Sequence, residues 1–287
     1  MGKSSGYYSY SGSISSCHAT GSVSGGASVG GLVGSNGSSV TGCNATGTVS
    51  GTGDDVGGLV GYNWGDGTKT SLTFCYSTGS VIGTGYSVGG LVGYNNGGTL
   101  TSCYANGSVS EGTHVGGMVG ENYDGKLTGC YATGTVSGTG YVGGLVGLNY
   151  EGTLTGCFWD INTSSQTVGV GYGTSTGVTG KTTAEMKTLS TFTYPPASWD
   201  FRDTDGDPAD WMMLREGEDY PRLAWQEIFA GDIADLYGVN FVDYAEMAAH
   251  WGQTGCPTGC ENADINSDGT VDIDDLTLLA YNWLEGI

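Results

Sequence analysis

Basic side chains are scarce in this sequence: 8 Lys or Arg stand against 29 Asp or Glu in 287 residues, a formal net charge of −21. Nucleic acids and anionic lipid surfaces are bound through basic patches, so neither is an expected partner. No run of about 18 apolar residues occurs, and no transmembrane helix is expected. Proline is rare, with 5 residues, and the 56 glycines follow no Gly-X-Y period, which excludes collagen. The three histidines, His18, His114 and His250, are scattered and do not make a zinc set. The first residues, MGKSSGYYSYSGS, lack the apolar core of a signal peptide, and residues 9–30 already read as the latter part of a repeat. The chain therefore reads as starting inside an array.

What the sequence does contain is self-similarity. Residues Gly117–Gly143, GMVGENYDGKLTGCYATGTVSGTGYVG, are followed by a near-copy from Gly144 to Cys157, and earlier copies start at Gly31, Gly58 and Gly90. A cysteine recurs at Cys17, Cys43, Cys75, Cys103, Cys130 and Cys157, at spacings of 26, 32, 28, 27 and 27. A period of that length predicts a parallel β-solenoid, in which each coil buries its apolar face against its neighbours. Abundant glycine fits corners that need positive φ or close backbone approach. Disorder is not expected, because 38% of residues are hydrophobic and 18 Tyr and 7 Trp are present.

Period-two geometry sets the facing of each coil. In Cys130-Tyr131-Ala132 and its counterparts, Cys and Ala (or Ser) point inward and the middle residue outward. Tyr76, Tyr104 and Tyr131 would then form an outward row able to face a ligand. Asn36, Asn63, Asn95, Asn122 and Asn149 recur after Gly-Leu/Met-Val-Gly-x and predict a stacked amide ladder. The repeat cysteines predict an apolar ladder, with inter-coil disulfides as the alternative and a metal site third. About three sides per coil, and five or six coils rising about 4.8 Å each, are expected. Catalysis is not: the repeats contain no Arg, and Asp124 and Glu151, the one pair of carboxylates that could stack across coils, lie at a corner where polar residues belong.

GLVGxN followed by CYATGxVSG and a closing VGG resembles the GLUG motif of bacterial surface and secreted proteins, over roughly residues 9–157. The resemblance implies an extracellular β-solenoid without catalytic residues. Beyond Trp159 the period fails. Residues 160–227, with a short helix near Thr183–Lys187, Trp199-Asp200-Phe201 and Tyr220-Pro221-Arg222-Leu223-Ala224-Trp225, read as an aromatic-rich irregular cap over the last coil. They resemble the segment that ends GLUG arrays. Asp203–Asp210 reads as a solvated acidic turn, with a small Ca²⁺ loop as the alternative.

The acidic excess is concentrated late, 22 of the 29 acids lying in residues 158–287, and suits Ca²⁺. Asp264, Asn266, Asp268, Thr270, Asp272 and Asp275 fall at positions 1, 3, 5, 7, 9 and 12 of an EF-hand-like loop, with Gly269 at the sharp turn and Val271 as the packing residue. Asp at the closing position and a single following helix resemble a type I dockerin half. A second, weaker loop aligns upstream through Asp232, Asn240 and Asp243. The resemblance implies a protein partner of cohesin type, although Ile273 and Asp274 replace the polar pair that dockerins use. Cys256 and Cys260 are spaced for a local disulfide. The expectation is a mainly β chain of three parts: a β-solenoid over 1–159, a cap over 160–227 and a small α-helical dockerin-like calcium module over 228–287. Its expected role is non-catalytic extracellular adhesion or scaffolding; a self-assembling filament and a β-helix that binds or cleaves surface glycans are the alternatives.

Overall fold

A computed structural model describes residues 12–65, 70–201, 210–213, 216–226, 241–254, 263, 265 and 269–282. The chain divides into two compact units, Met1–Trp211 and Met212–Ile287.

The first unit is the parallel solenoid. One coil runs through strands Thr99–Thr101, Tyr104–Ala105, Val109–Ser110, His114–Gly116 and Val119–Tyr123. Four of the five pair in register with their counterparts one coil on, Leu100 with Leu127, Tyr104 with Tyr131, Val115 with Val142 and Asn122 with Asn149, and Val109 meets Val136 through an isolated bridge. The stacked coils form sheets of six, six, seven, four and five strands. The expected three sides per coil are thus corrected to five, because strands of two or three residues, separated by tight turns, bend the chain more often than three long sides would.

Inward residues fall into two separate cores. Leu59, Leu72, Leu100, Leu127 and Leu145 pack with the Cys and Ala of the repeat and with Val60, Val92, Val119 and Val146. Val49, Val56, Val81, Val88, Val109, Val115 and Val136 make a second core, lined by the two smaller sheets. Each fully buried Leu or Val contributes about 1.5–3 kcal/mol, and the register repeats that contribution at every rung. Cys17, at the outermost rung described, is only half-buried, whereas the cysteines stacked above it are buried.

Two backbone devices turn the coil. The residue before each repeat cysteine is left-handed at Ser16, Gly42, Phe74, Ser102, Gly129 and Gly156, with φ between 49° and 60°; three of the six are glycine, the residue that takes this region without strain. Elsewhere glycine serves closeness: a Cβ on Gly116 would lie 2.0 Å from the Val119 carbonyl oxygen.

The solenoid continues past Trp159. Val170–Gly173 pairs with Val146–Tyr150, and Val178–Lys181 pairs with Cys157–Asp160. α1 (Thr183–Met186) follows, capped by a reciprocal Thr182–Glu185 box, and then α2 (Ser190–Thr193). In the second unit, α3 (Phe241–His250) and α4 (Ile273–Asn282) share a core of Met247, Ala263, Val271 and Leu279. No helix among the described residues is long and apolar enough to cross a membrane.

Candidate functional site

The outward row read from the repeat is real but mostly covered. Tyr76, Tyr104 and Tyr131 stack with ring centroids 4.9 and 5.2 Å apart. Tyr104 is only 3% exposed and Tyr131 is fully buried, because Trp211 packs against both and Trp199 against Tyr131. This corrects the expectation that all three face a ligand: Tyr104 and Tyr131 are roofed by the aromatic cap, and Tyr76 is half-buried. Phe158 extends the row by one rung, register-paired with Tyr131 and in edge contact with Trp199.

A second outward row escaped the sequence reading. His114 stacks on Tyr141 at 5.3 Å and Tyr141 on Tyr172 at 4.7 Å, with Tyr86 tilted 6.0 Å from His114. Glu121 joins it from the neighbouring sheet, its Oε2 lying 3.1 Å from His114 Nδ1 and accepting from Ser87 Oγ at 3.2 Å. Glu121 is the variable residue of Gly-x-Asn, and His114 and Ser87 share the column before Val-Gly. Those columns meet only once the sheet order is known.

The cysteine ladder is structural. All six repeat cysteines are free thiols, five of them buried. Cys43, Cys75, Cys103, Cys130 and Cys157 each donate to the carbonyl two residues earlier, at 3.2–3.3 Å. Burial, with the neighbouring Cys130 thiol, pushes Cys103 and Cys157 well above the usual thiol range. A raised pKa means almost no thiolate at pH 8, so iodoacetamide should label these two at least 100-fold more slowly in the folded chain than in 6 M guanidinium. Peptide mass spectrometry measures both rates, and equal rates would refute the buried ladder.

Asp124 and Glu151 lie at neighbouring left-handed corners, with φ +51° and +56°, both exposed. Glycine occupies the corresponding corner one coil earlier, at Gly97 with φ +72°, so the position is defined by its backbone.

Of the C-terminal calcium set, Thr270, Asp272 and Asp275 lie among the described residues, in the stretch that runs into α4. Asp275 is fully buried and its Oδ2 accepts from the Asp272 backbone N–H at 2.9 Å. Gly269 is left-handed at φ +92°, as the sharp turn requires, and Val271 is fully buried, its N–H donating to the Gln253 carbonyl at 3.0 Å. Asp264, Asn266 and Asp268, together with Asp232, Asn240, Cys256 and Cys260, lie outside the described residues; Asp243 falls within α3. Among the described residues alone no group of three or more His, Cys, Asp or Glu is placed to hold a metal.

A family model for the GLUG motif matches residues 25–50, 84–110 and 111–137. Three of the coils carry GLUG repeats. Each matched stretch is one coil long, and the two contiguous ones run across the boundary at Ser110–Glu111 without a gap. The unmatched stretch 51–83 falls where the cysteine spacing is longest, 32 residues from Cys43 to Cys75. No curated protein and no solved structure matches the chain.

Proposed function

We propose that this chain is a non-catalytic extracellular adhesion or scaffold protein, a rigid GLUG solenoid joined to a calcium-binding, dockerin-like module used for attachment or assembly. The observation that carries the reading is how the repeat spends its residues. Asn, Cys, Leu, Val and Gly are committed to ladders, core and close approach, and Tyr104 and Tyr131 of the Cys-Tyr-Ala row are roofed, so the repeat's recurrent residues serve to build a rod. Stacked GLUG coils are characteristic of surface and secreted proteins, which supports the location.

For the second unit, the ligand spacing from Asp264 to Asp275 supports Ca²⁺. The left-handed Gly269, the buried Val271 and the Asp275 carboxylate closing on Asp272 suit that geometry. The residues fit a hard cation with oxygen ligands: Asp264, Asn266 and Asp268 by side chain, Thr270 by its carbonyl, Asp272 and Asp275 by carboxylate. The bound ion would supply charge neutralisation for the acidic loop and fix α4 against α3, presenting a partner surface of cohesin-like or other protein type.

Calorimetric titration of the intact chain tests this. One Ca²⁺ site is expected, and at a free Ca²⁺ concentration of about 100 Kd the second unit should gain about 2.7 kcal/mol against urea. Asp264→Ala with Asp268→Ala should abolish both the heat and the gain. An unmodified chain with neither effect would sink the calcium reading.

A further inference from the structure

The coil that ends at Cys157 and the segment after α2 line a cleft of about 340 Å³. Its walls include Thr155 from the outermost strand of its sheet, Thr179 and Lys181 from Val178–Lys181, Thr191 from α2, and Tyr194 with Pro195 and Pro196 beyond it. The chemistry of this lining narrows the ligand. It contains no Asp, Glu, His or Cys, so it does not suit a cation. Its one ammonium, on Lys181, lies 3.5 Å from the Glu185 carboxylate, which leaves little for a polyphosphate.

What remains is a lining that mixes hydroxyls (Thr155, Thr179, Ser190 and Thr191) with apolar and aromatic side chains (Tyr194, Pro195 and Pro196). Tyr194 is 69% exposed, more than any other large hydrophobic side chain among the described residues. An accessible phenol ring beside two prolines offers an apolar surface with a polar tip. Threonine hydroxyls each donate one hydrogen bond and accept others; Thr191 Oγ1 already donates to the Glu185 carbonyl at 2.7 Å and keeps its lone pairs for acceptance. The volume lies at the small end of the range for ligand sites, about 300–1,000 Å³, which suits one or two rings and not a peptide.

We propose that this cleft binds a pyranose residue of a glycan chain, the apolar face of the sugar on Tyr194 and Pro196 and its hydroxyls on Thr155, Thr179 and Thr191. The site supplies the proposed adhesion protein with a ligand class and does not depend on the calcium loop.

Saturation-transfer NMR on the intact chain, against a panel of neutral and uronic-acid-containing oligosaccharides, tests it. At least one oligosaccharide should bind through a single ring. Tyr194→Ala and Thr179→Val should each weaken that binding at least tenfold. Both side chains are exposed, so the urea midpoint should stay at the parent value and report intact folding. Asp264→Ala with Asp268→Ala should bind the sugar like the parent, separating this site from the calcium reading. Absence of transfer across the panel, or transfer unchanged in both cleft variants, overturns the proposal.

Discussion

Asn122→Ala should cost the solenoid about 4 kcal/mol, measured by urea unfolding followed by far-UV circular dichroism. Asn122 is fully buried in a run of side-chain amides that crosses the coils. Its Nδ2 donates to Asn149 Oδ1 at 2.8 Å and to the Gly125 carbonyl at 3.2 Å, and its Oδ1 accepts from Asn95 Nδ2 at 2.7 Å. Truncation removes three hydrogen bonds worth about 0.5–1.5 kcal/mol each; Asn95 Nδ2 keeps the Gly98 carbonyl and the Gly125 carbonyl keeps the Thr153 N–H, but Asn149 Oδ1 loses its donor at a further cost of about 1–3 kcal/mol. A loss of that size is a large fraction of the roughly 5–15 kcal/mol that holds a domain folded. Tyr123→Ala is the contrast: its exposed ring only stacks on Tyr150 at 5.1 Å, and it should cost about 1 kcal/mol. If the two variants unfold at the same urea concentration, the amide ladder does not hold the coils together.

The ladder was legible in the sequence because its cause is local. A single Asn placed at the same point of every repeat is stacked by the repeat itself, and the alternation Cys-Tyr-Ala gives the inward pair directly. The number of sides was not legible. Val56–Gly57 and Asn44–Ala45 are strands of two residues, too short for any alternation to show. The valine core escaped for the same reason, since its members are contributed one at a time by those short strands. Burial of Tyr104 and Tyr131 lay further out of reach, because their cover, Trp199 and Trp211, comes from beyond the last repeat and obeys no period. In the second unit, the spacing of the loop announced the turn at Gly269 and the packing of Val271, both of which follow from adjacent residues. The Glu121–His114–Ser87 cluster required knowledge of which sheets adjoin, a property of the closed coil and not of any one strand.

Trp199→Ala should be as damaging as loss of an amide rung, at about 3–5 kcal/mol, the usual range for removing a buried Trp. Trp199 is 7% exposed and is the point on which the cap converges. Its ring stacks on Trp211 at 4.6 Å, lies 4.7 Å from Phe192, and meets Phe158 edge-on at 5.5 Å. Its Nε1 donates to the Gly156 carbonyl at 2.8 Å, tying the cap to the left-handed corner of the coil that ends at Cys157. Truncation therefore empties the centre of an aromatic cluster and orphans a carbonyl at the end of the solenoid. Trp199→Phe separates the two effects: it keeps most of the stacking and loses the donor, so it should cost about 1–2 kcal/mol. Because Trp211 and Trp199 roof Tyr131, the alanine variant should also open the segment 182–201 to limited proteolysis under conditions where it is resistant in the parent chain. Retention of both the parent unfolding midpoint and the parent cleavage pattern would show that the cap is held by contacts other than this ring. The proteolysis result also bears on the glycan cleft, since Tyr194 and Thr191 sit on the same segment; a cap that opens should lose sugar binding in parallel with its protection.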